Sequence, residues 1–156
     1  MKRFPARGLL AAAWLTLATS ASAASAQDRT VEGEVQIILA EEAEGTIDPR
    51  LANLEALRRA PFNLYRTLTL HSSRRIQLRV NEPRELPLPN GRRIRLVLWQ
   101  ITSEGRYRIR VSINRPGQRD YLPEMSVRTS PGDPFFVAGQ GFQRGTLVVG
   151  IRLSEP

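Results

Sequence analysis

The chain has 156 residues, 22 arginines against a single lysine, one histidine, no cysteine and a formal net charge of +8. The missing cysteines exclude thiol nucleophiles, cysteine metal sites and disulfides, and a lone His71 excludes a two-histidine zinc motif. A folded domain of this composition must be held by packing alone.

Lys2, Arg3 and Arg7 precede an almost wholly apolar run from Gly8 to Ala18, and Ala24-Ser25-Ala26 supplies a small-residue cleavage site before Gln27. This three-part pattern predicts a cleaved Sec-type signal peptide over residues 1–26, with no lipid-attachment cysteine after it. The apolar run is shorter than the roughly 20 residues of a membrane span, so no transmembrane anchor is expected after cleavage. The expected product, residues 28–156, is a single secreted β-domain located in the periplasm or outside the cell. Loss of the three basic residues of the signal leaves it near +5. Charge is uneven along it: residues 28–57 hold eight acids against Arg29 and Arg50, whereas residues 58–156 hold 18 arginines against seven acids. The acidic segment is placed to lie beside the basic remainder, or the basic remainder to steer an anionic partner.

Val31, Gly33, Val35, Ile37 and Leu39 alternate with polar residues and predict a half-buried strand over 31–40. The acidic turn Glu41, Glu42, Glu44 lacks the ligand spacing of a calcium loop. Asp48-Pro49 then reads as a helix cap, and Leu51, Leu54 and Leu57 predict one short helix near residues 49–59, ended by Pro61. Leu64, Leu68 and Leu70 suggest a strand, and Ile76, Leu78 and Val80 another. Leu86 and Leu88, in a run limited by Pro87 and Pro89, form a short edge strand that Asn90-Gly91 turns into the segment from Arg93 to Asn114. Further strands are expected over Tyr121 to Thr129, Phe135 to Ala138 and Thr146 to Leu153. The fold class is therefore all-β, mainly antiparallel: a β-sandwich or small open barrel of about eight strands with one short helix.

No catalytic, metal or cofactor site emerges. The glycines Gly139, Gly141 and Gly145 precede a strand, not a phosphate-binding helix, and read as a hairpin loop with Phe142 at its tip. Asp48, Asp120 and Asp133 each have a turn or cap role, so an enzyme would need acids gathered from distant positions.

The candidate site lies in the hairpin from Arg93 to Asn114. With Glu104-Gly105 as a two-residue turn, Leu98 falls opposite Val111 and Trp99 opposite Arg110. Counting the Asn90-Gly91 turn in the same way places Leu86 and Leu88 on the tryptophan side. One face then carries Leu86, Leu88, Val97, Trp99 and Ile101 with Arg93, Arg95, Arg108 and Arg110. An apolar patch of that size calls for a cover, either the short helix or a partner. The expected function is a non-catalytic binding or assembly module of the bacterial cell envelope, contacting a protein partner through Trp99, Arg93, Arg95, Arg108 and Arg110 or through Phe142. The alternative ligand is an anionic glycan such as lipopolysaccharide, and nucleic acid is disfavoured for an exported protein.

Overall fold

A computed structural model describes residues 29–155; the segment expected as a signal peptide, residues 1–26, lies outside them. Eight strands form two four-stranded antiparallel sheets packed face to face, in the orders β2-β1-β8-β7 and β3-β4-β5-β6. The first sheet contains β1 (Thr30–Glu41), β2 (Thr67–Arg79), β7 (Phe135–Phe142) and β8 (Gly145–Leu153). The second contains β3 (Pro83–Pro87), β4 (Arg93–Ile101), β5 (Tyr107–Ile113) and β6 (Met125–Thr129). Among the described residues no helix is long and apolar enough to cross a membrane.

The alternation of the sequence builds the core directly. Val31, Val35, Ile37 and Leu39 of β1 and Leu147, Val149, Ile151 and Leu153 of β8 face Ile94, Leu96 and Leu98 of β4 and Tyr107, Ile109, Val111 and Ile113 of β5. Tyr107 is fully buried, and its hydroxyl donates to the Ser154 carbonyl at 2.7 Å, tying β5 to the end of β8. At the opposite end Arg92 donates to the Asn114 carbonyl at 2.8 Å and to Gln140 of β7. Asn114, 7% exposed, accepts from the Arg93 amide at 2.6 Å and donates to the Gln118 carbonyl at 2.8 Å.

The expected helix near residues 49–59 is instead a chain of 3₁₀ turns, Pro49–Leu51, Glu55–Arg58 and Phe62–Leu64. The amides of Leu51, Leu54 and Leu57 bond to the carbonyls three residues earlier, Asp48, Leu51 and Leu54. A strict leucine spacing of three matches the three-residue 3₁₀ repeat better than the 3.6 of an α-helix. The Asp48 cap is as expected, its carboxylate accepting from the Arg50 amide at 3.0 Å. These turns bury Leu51 and Leu57 against Ile38, Ala40, Leu68 and Val148, a second core on the outer side of the β2-β1-β8-β7 sheet. The two strands expected around Leu64–Leu70 and Ile76–Val80 are one 13-residue strand, β2. His71 is an extra residue in it: Ile37 pairs with Ser72 and Ile38 with Leu70. That bulge lets Leu68 and Leu70 face the turns while Ile76 and Leu78 face the main core.

Replacing Asn114 by Ala leaves the Arg93 amide without its side-chain acceptor in a buried setting. Urea unfolding should show a loss of about 2 kcal/mol; an unchanged midpoint would mean that Asn114 does not hold this corner.

Candidate functional site

Two hairpins decide which side chains reach the outer face of the β3-β4-β5-β6 sheet. Both are closed by three-residue loops, not the expected two-residue turns. In the first, the Leu88 amide bonds to the Arg92 carbonyl at 2.8 Å and Gly91 takes φ +80. In the second, the Thr102 amide bonds to the Arg106 carbonyl at 2.8 Å and Gly105 takes φ +75. Loops of this length place a glycine in the left-handed region at the third position.

The extra residue in the first loop overturns the expected placement of Leu86 and Leu88. Leu86 pairs with Ile94 and not with Arg95, and both leucines point into the main core, 7% and 4% exposed. A one-residue change of register exchanges the faces of a strand, so Glu85 arrives opposite Arg95 instead.

In the second hairpin the longer loop alone would set Leu98 opposite Arg110. A bulge at Trp99 absorbs one more residue, and Leu98 pairs with Ile109 while Val97 pairs with Arg110. The expected pairs are thus displaced by two residues and the faces from Arg93 to Leu98 survive. Beyond the bulge they do not: Ile101 pairs with the buried Tyr107 and packs against the main core, not beside Trp99.

The outer face therefore carries Arg93, Arg95, Val97 and Trp99 from β4, Arg108 and Arg110 from β5, Glu85 from β3 and Arg128 from β6, which sits directly opposite Arg108. Glu85 accepts from Arg93 at 3.1 Å and from Arg95 at 2.9 Å. The Arg95 guanidinium lies 3.6 Å above the ring of Tyr121, which enters the sheet beside Asn114. The guanidinium carbons of Arg110 and Arg108 lie 5.0 Å and 5.5 Å from the Trp99 ring. Arg110 reaches Glu124 only at 3.8 Å, and no carboxylate of the described residues lies within 4.0 Å of Arg108 or Arg128.

Two buried side-chain polar atoms of this face, Trp99 Nε1 and Arg108 Nε, have no hydrogen-bond partner among the described residues, and the buried Tyr121 hydroxyl lies beside the Glu85 carboxylate. Burial, followed by the nearby Glu85 carboxylate, pushes the Tyr121 phenol upward. Arg95 holds the Glu85 carboxyl below the usual carboxylate range, with Tyr121 and Arg93 adding to the effect.

The 3₁₀ turns, expected as a possible cover for Trp99, pack on the other sheet. Nor does the acidic segment neutralise the face. Glu34 pairs with Arg152 at 2.9 Å, Glu44 with Arg66 at 2.7 Å, and Asp48 with Arg50 at 2.6 Å. Phe142 is separate from the tryptophan face. It ends β7, half-buried against the main core, with its ring 5.9 Å from His71, and the hairpin tip is Gln143-Arg144.

An open depression of about 830 Å³ lies between β1, β2 and β8 of one sheet and Arg84 of β3 in the other, lined by Glu32, Glu34, Arg75, Arg84 and Arg152 among others. Glu34 is held below the usual carboxylate range, first by the Ser73 hydroxyl and then by Arg152, which makes it a poor proton donor near neutrality. No group of three potential metal-ligating side chains occurs among the described residues. No protein-family model, curated protein or solved structure matches the chain.

Glu85, Tyr121, Glu124 and Arg128 were not reached from the sequence. The first would have followed from a three-residue loop at Pro89–Gly91; Arg128 depends on how β6 pairs with β5, and Tyr121 on its bridge to Asn114, neither of which the strand alternation announces.

Because the folded Glu85 carboxyl titrates below its unfolded value, its contribution is complete above the unfolded pKa and is lost as pH falls through the folded one. Glu85→Gln should therefore be less stable than the wild type at pH 7, with the difference closing as the solution is taken below about pH 4. Urea midpoints across that range check this; a gap independent of pH would assign the effect to packing.

Proposed function

We propose that this protein is a non-catalytic binding module, exported to the bacterial envelope, that contacts a protein partner through the outer face of the β3-β4-β5-β6 sheet. The export and envelope assignment rests on the amino-terminal sequence pattern. The observation that carries the binding assignment is the gathering of Trp99, Tyr121 and five arginines, Arg93, Arg95, Arg108, Arg110 and Arg128, onto a sheet face that the chain's own turns leave uncovered.

The side-chain types fit the reading. Tryptophan, tyrosine and arginine dominate the few residues that carry most of the energy of a protein interface, because they combine large contact area with a directional polar group. Guanidinium groups stacked on Trp99 and Tyr121 hold their rings and charges in place before a partner arrives. Five arginines against Glu85 and Glu124 give the face a positive balance, which favours an acidic partner surface.

An anionic glycan is supported by one feature, the opposed and unneutralised Arg108 and Arg128 beside Trp99. It is weakened by another: Arg93 and Arg95 are already engaged by Glu85.

The test is recovery of partner protein on the tagged full chain from an envelope extract of the native bacterium. Trp99→Ala should cut that recovery at least about tenfold, the effect of losing one interface hot spot, with the unfolding midpoint unchanged. Equal recovery by wild type and variant would refute the face as the contact. Retention on heparin that is stronger than partner recovery, and lost between about 50 and about 150 mM salt, would favour the glycan.

A further inference from the structure

Four strands lie at sheet edges: β2 and β7 in one sheet, β3 and β6 in the other. An edge strand presents unpaired amides and carbonyls that can template another chain, and folded proteins commonly blunt it with proline, a bulge or charge. Three of these edges are blunted. β3 is five residues long with proline at each end. β2 is bulged at His71, and β7 is bulged at Gly139, where φ is +107.

β6 carries one charge, Arg128, but neither of the other guards. Met125–Thr129 contains neither proline nor bulge, pairs with β5 in unbroken register, and has no strand on its other side among the described residues. Met125 is 48% exposed although it lies on the core-facing side, opposite Val111, with half-buried Val127 next on that side. On the outer side Arg128 stands in line with Arg108, and both lack a carboxylate.

We propose that β6 is a docking edge that takes an extended, acidic segment of a protein partner as a fifth strand of the sheet. This rests on the reading of the outer face as a partner surface and adds to it the mode of binding and the charge of the partner. Main-chain bonds to the free side of Met125–Thr129 supply register and direction. Because strand side chains alternate, one set from the incoming strand lies on the Arg128 and Arg108 side and the other beside Met125 and Val127. Carboxylates suit the first set and apolar groups the second. A five-residue edge offers few main-chain bonds, so the contact depends on the Trp99 and arginine face for the rest of its energy.

A synthetic ten-residue peptide of alternating Glu and Val serves as probe, with a Lys/Val peptide and a fully N-methylated Glu/Val peptide as controls. Added to the ¹⁵N-labelled full chain, the Glu/Val peptide is expected to slow amide exchange within Met125–Thr129 at least tenfold and to shift the Trp99 indole resonance. Neither control should do so. Arg128→Glu should weaken peptide binding at least tenfold while its remaining amide resonances keep their positions. A peptide that shifts only the Trp99 indole and leaves β6 exchange unchanged overturns the docking edge but not the outer-face reading. Protection of β6 that is unaffected by Trp99→Ala supports the edge and removes the outer face as the source of affinity. No response at either place overturns both.

Discussion

Side chains of a β-strand alternate between its two faces, so one inserted residue reverses everything that follows. In this sheet three residues do the inserting: Gly91 and Gly105, each in the left-handed region at the end of a three-residue loop, and Trp99 in a bulge. Gly91 sends Leu86 and Leu88 inward with Ile94, Leu96 and Leu98. Gly105 and Trp99 act in the same strand pair. The longer loop would oppose Leu98 to Arg110, and the bulge restores Leu98 to Ile109, so the arginines stay together outside and the aliphatic residues inside. Burying several arginine charges without partners would cost several kcal/mol each, which makes this register the one that the composition of both strands permits. The same bulge sets Trp99 between Arg108 and Arg110.

The two outer faces of the sandwich are treated differently. On the β2-β1-β8-β7 sheet the segment from Pro49 to Leu64 lays Leu51 and Leu57 over Ile38, Ala40, Leu68 and Val148, so β1 and β8 are buried on both sides where the turns cross them. The acids preceding that segment pair with arginines of their own neighbourhood, such as Glu34 with Arg152 and Glu44 with Arg66. Exposed pairs of this kind add little to stability. Their consequence is positional: the acidic segment of residues 29–57 lies on the sheet away from Trp99, and the other sheet keeps a positive outer surface with stacked rings. The proposed binding role follows from that division.

The fold was largely legible because the alternation of Val31 to Leu39, of Leu147 to Leu153 and of Ile109 to Ile113 carries its own face assignment. What failed to emerge were events of one residue. Asn90-Gly91 fits a two-residue and a three-residue loop equally well as a string of letters, and the choice decides whether Leu86 or Glu85 lies beside Arg95. The bulge at Trp99 has no local signature either; it follows from the conflict between loop length and the hydrophobic pattern, which only both strands together reveal. The membership of Trp99, Arg93, Arg95, Arg108 and Arg110 in one face was nevertheless readable, because two single-residue displacements in one strand pair preserve parity. Tyr121 joins through its bridge to Asn114 across the Arg115–Asp120 turn, and Arg128 through the pairing of β6 with β5. The leucines at 51, 54 and 57 announced a covering element but not its sheet, since apolar periodicity states that a face is buried without saying against what.

The register of β4 against β5 is the claim on which the outer face depends, and nuclear Overhauser contacts between backbone protons of the two strands test it most directly. Val97 should contact Arg110 and Leu98 should contact Ile109, with Trp99 lacking a partner of its own. Pairing of Leu98 with Arg110, a shift of one residue, would set the β5 arginines on the same face as the core leucines of β4 and dissolve the face and the binding role derived from it.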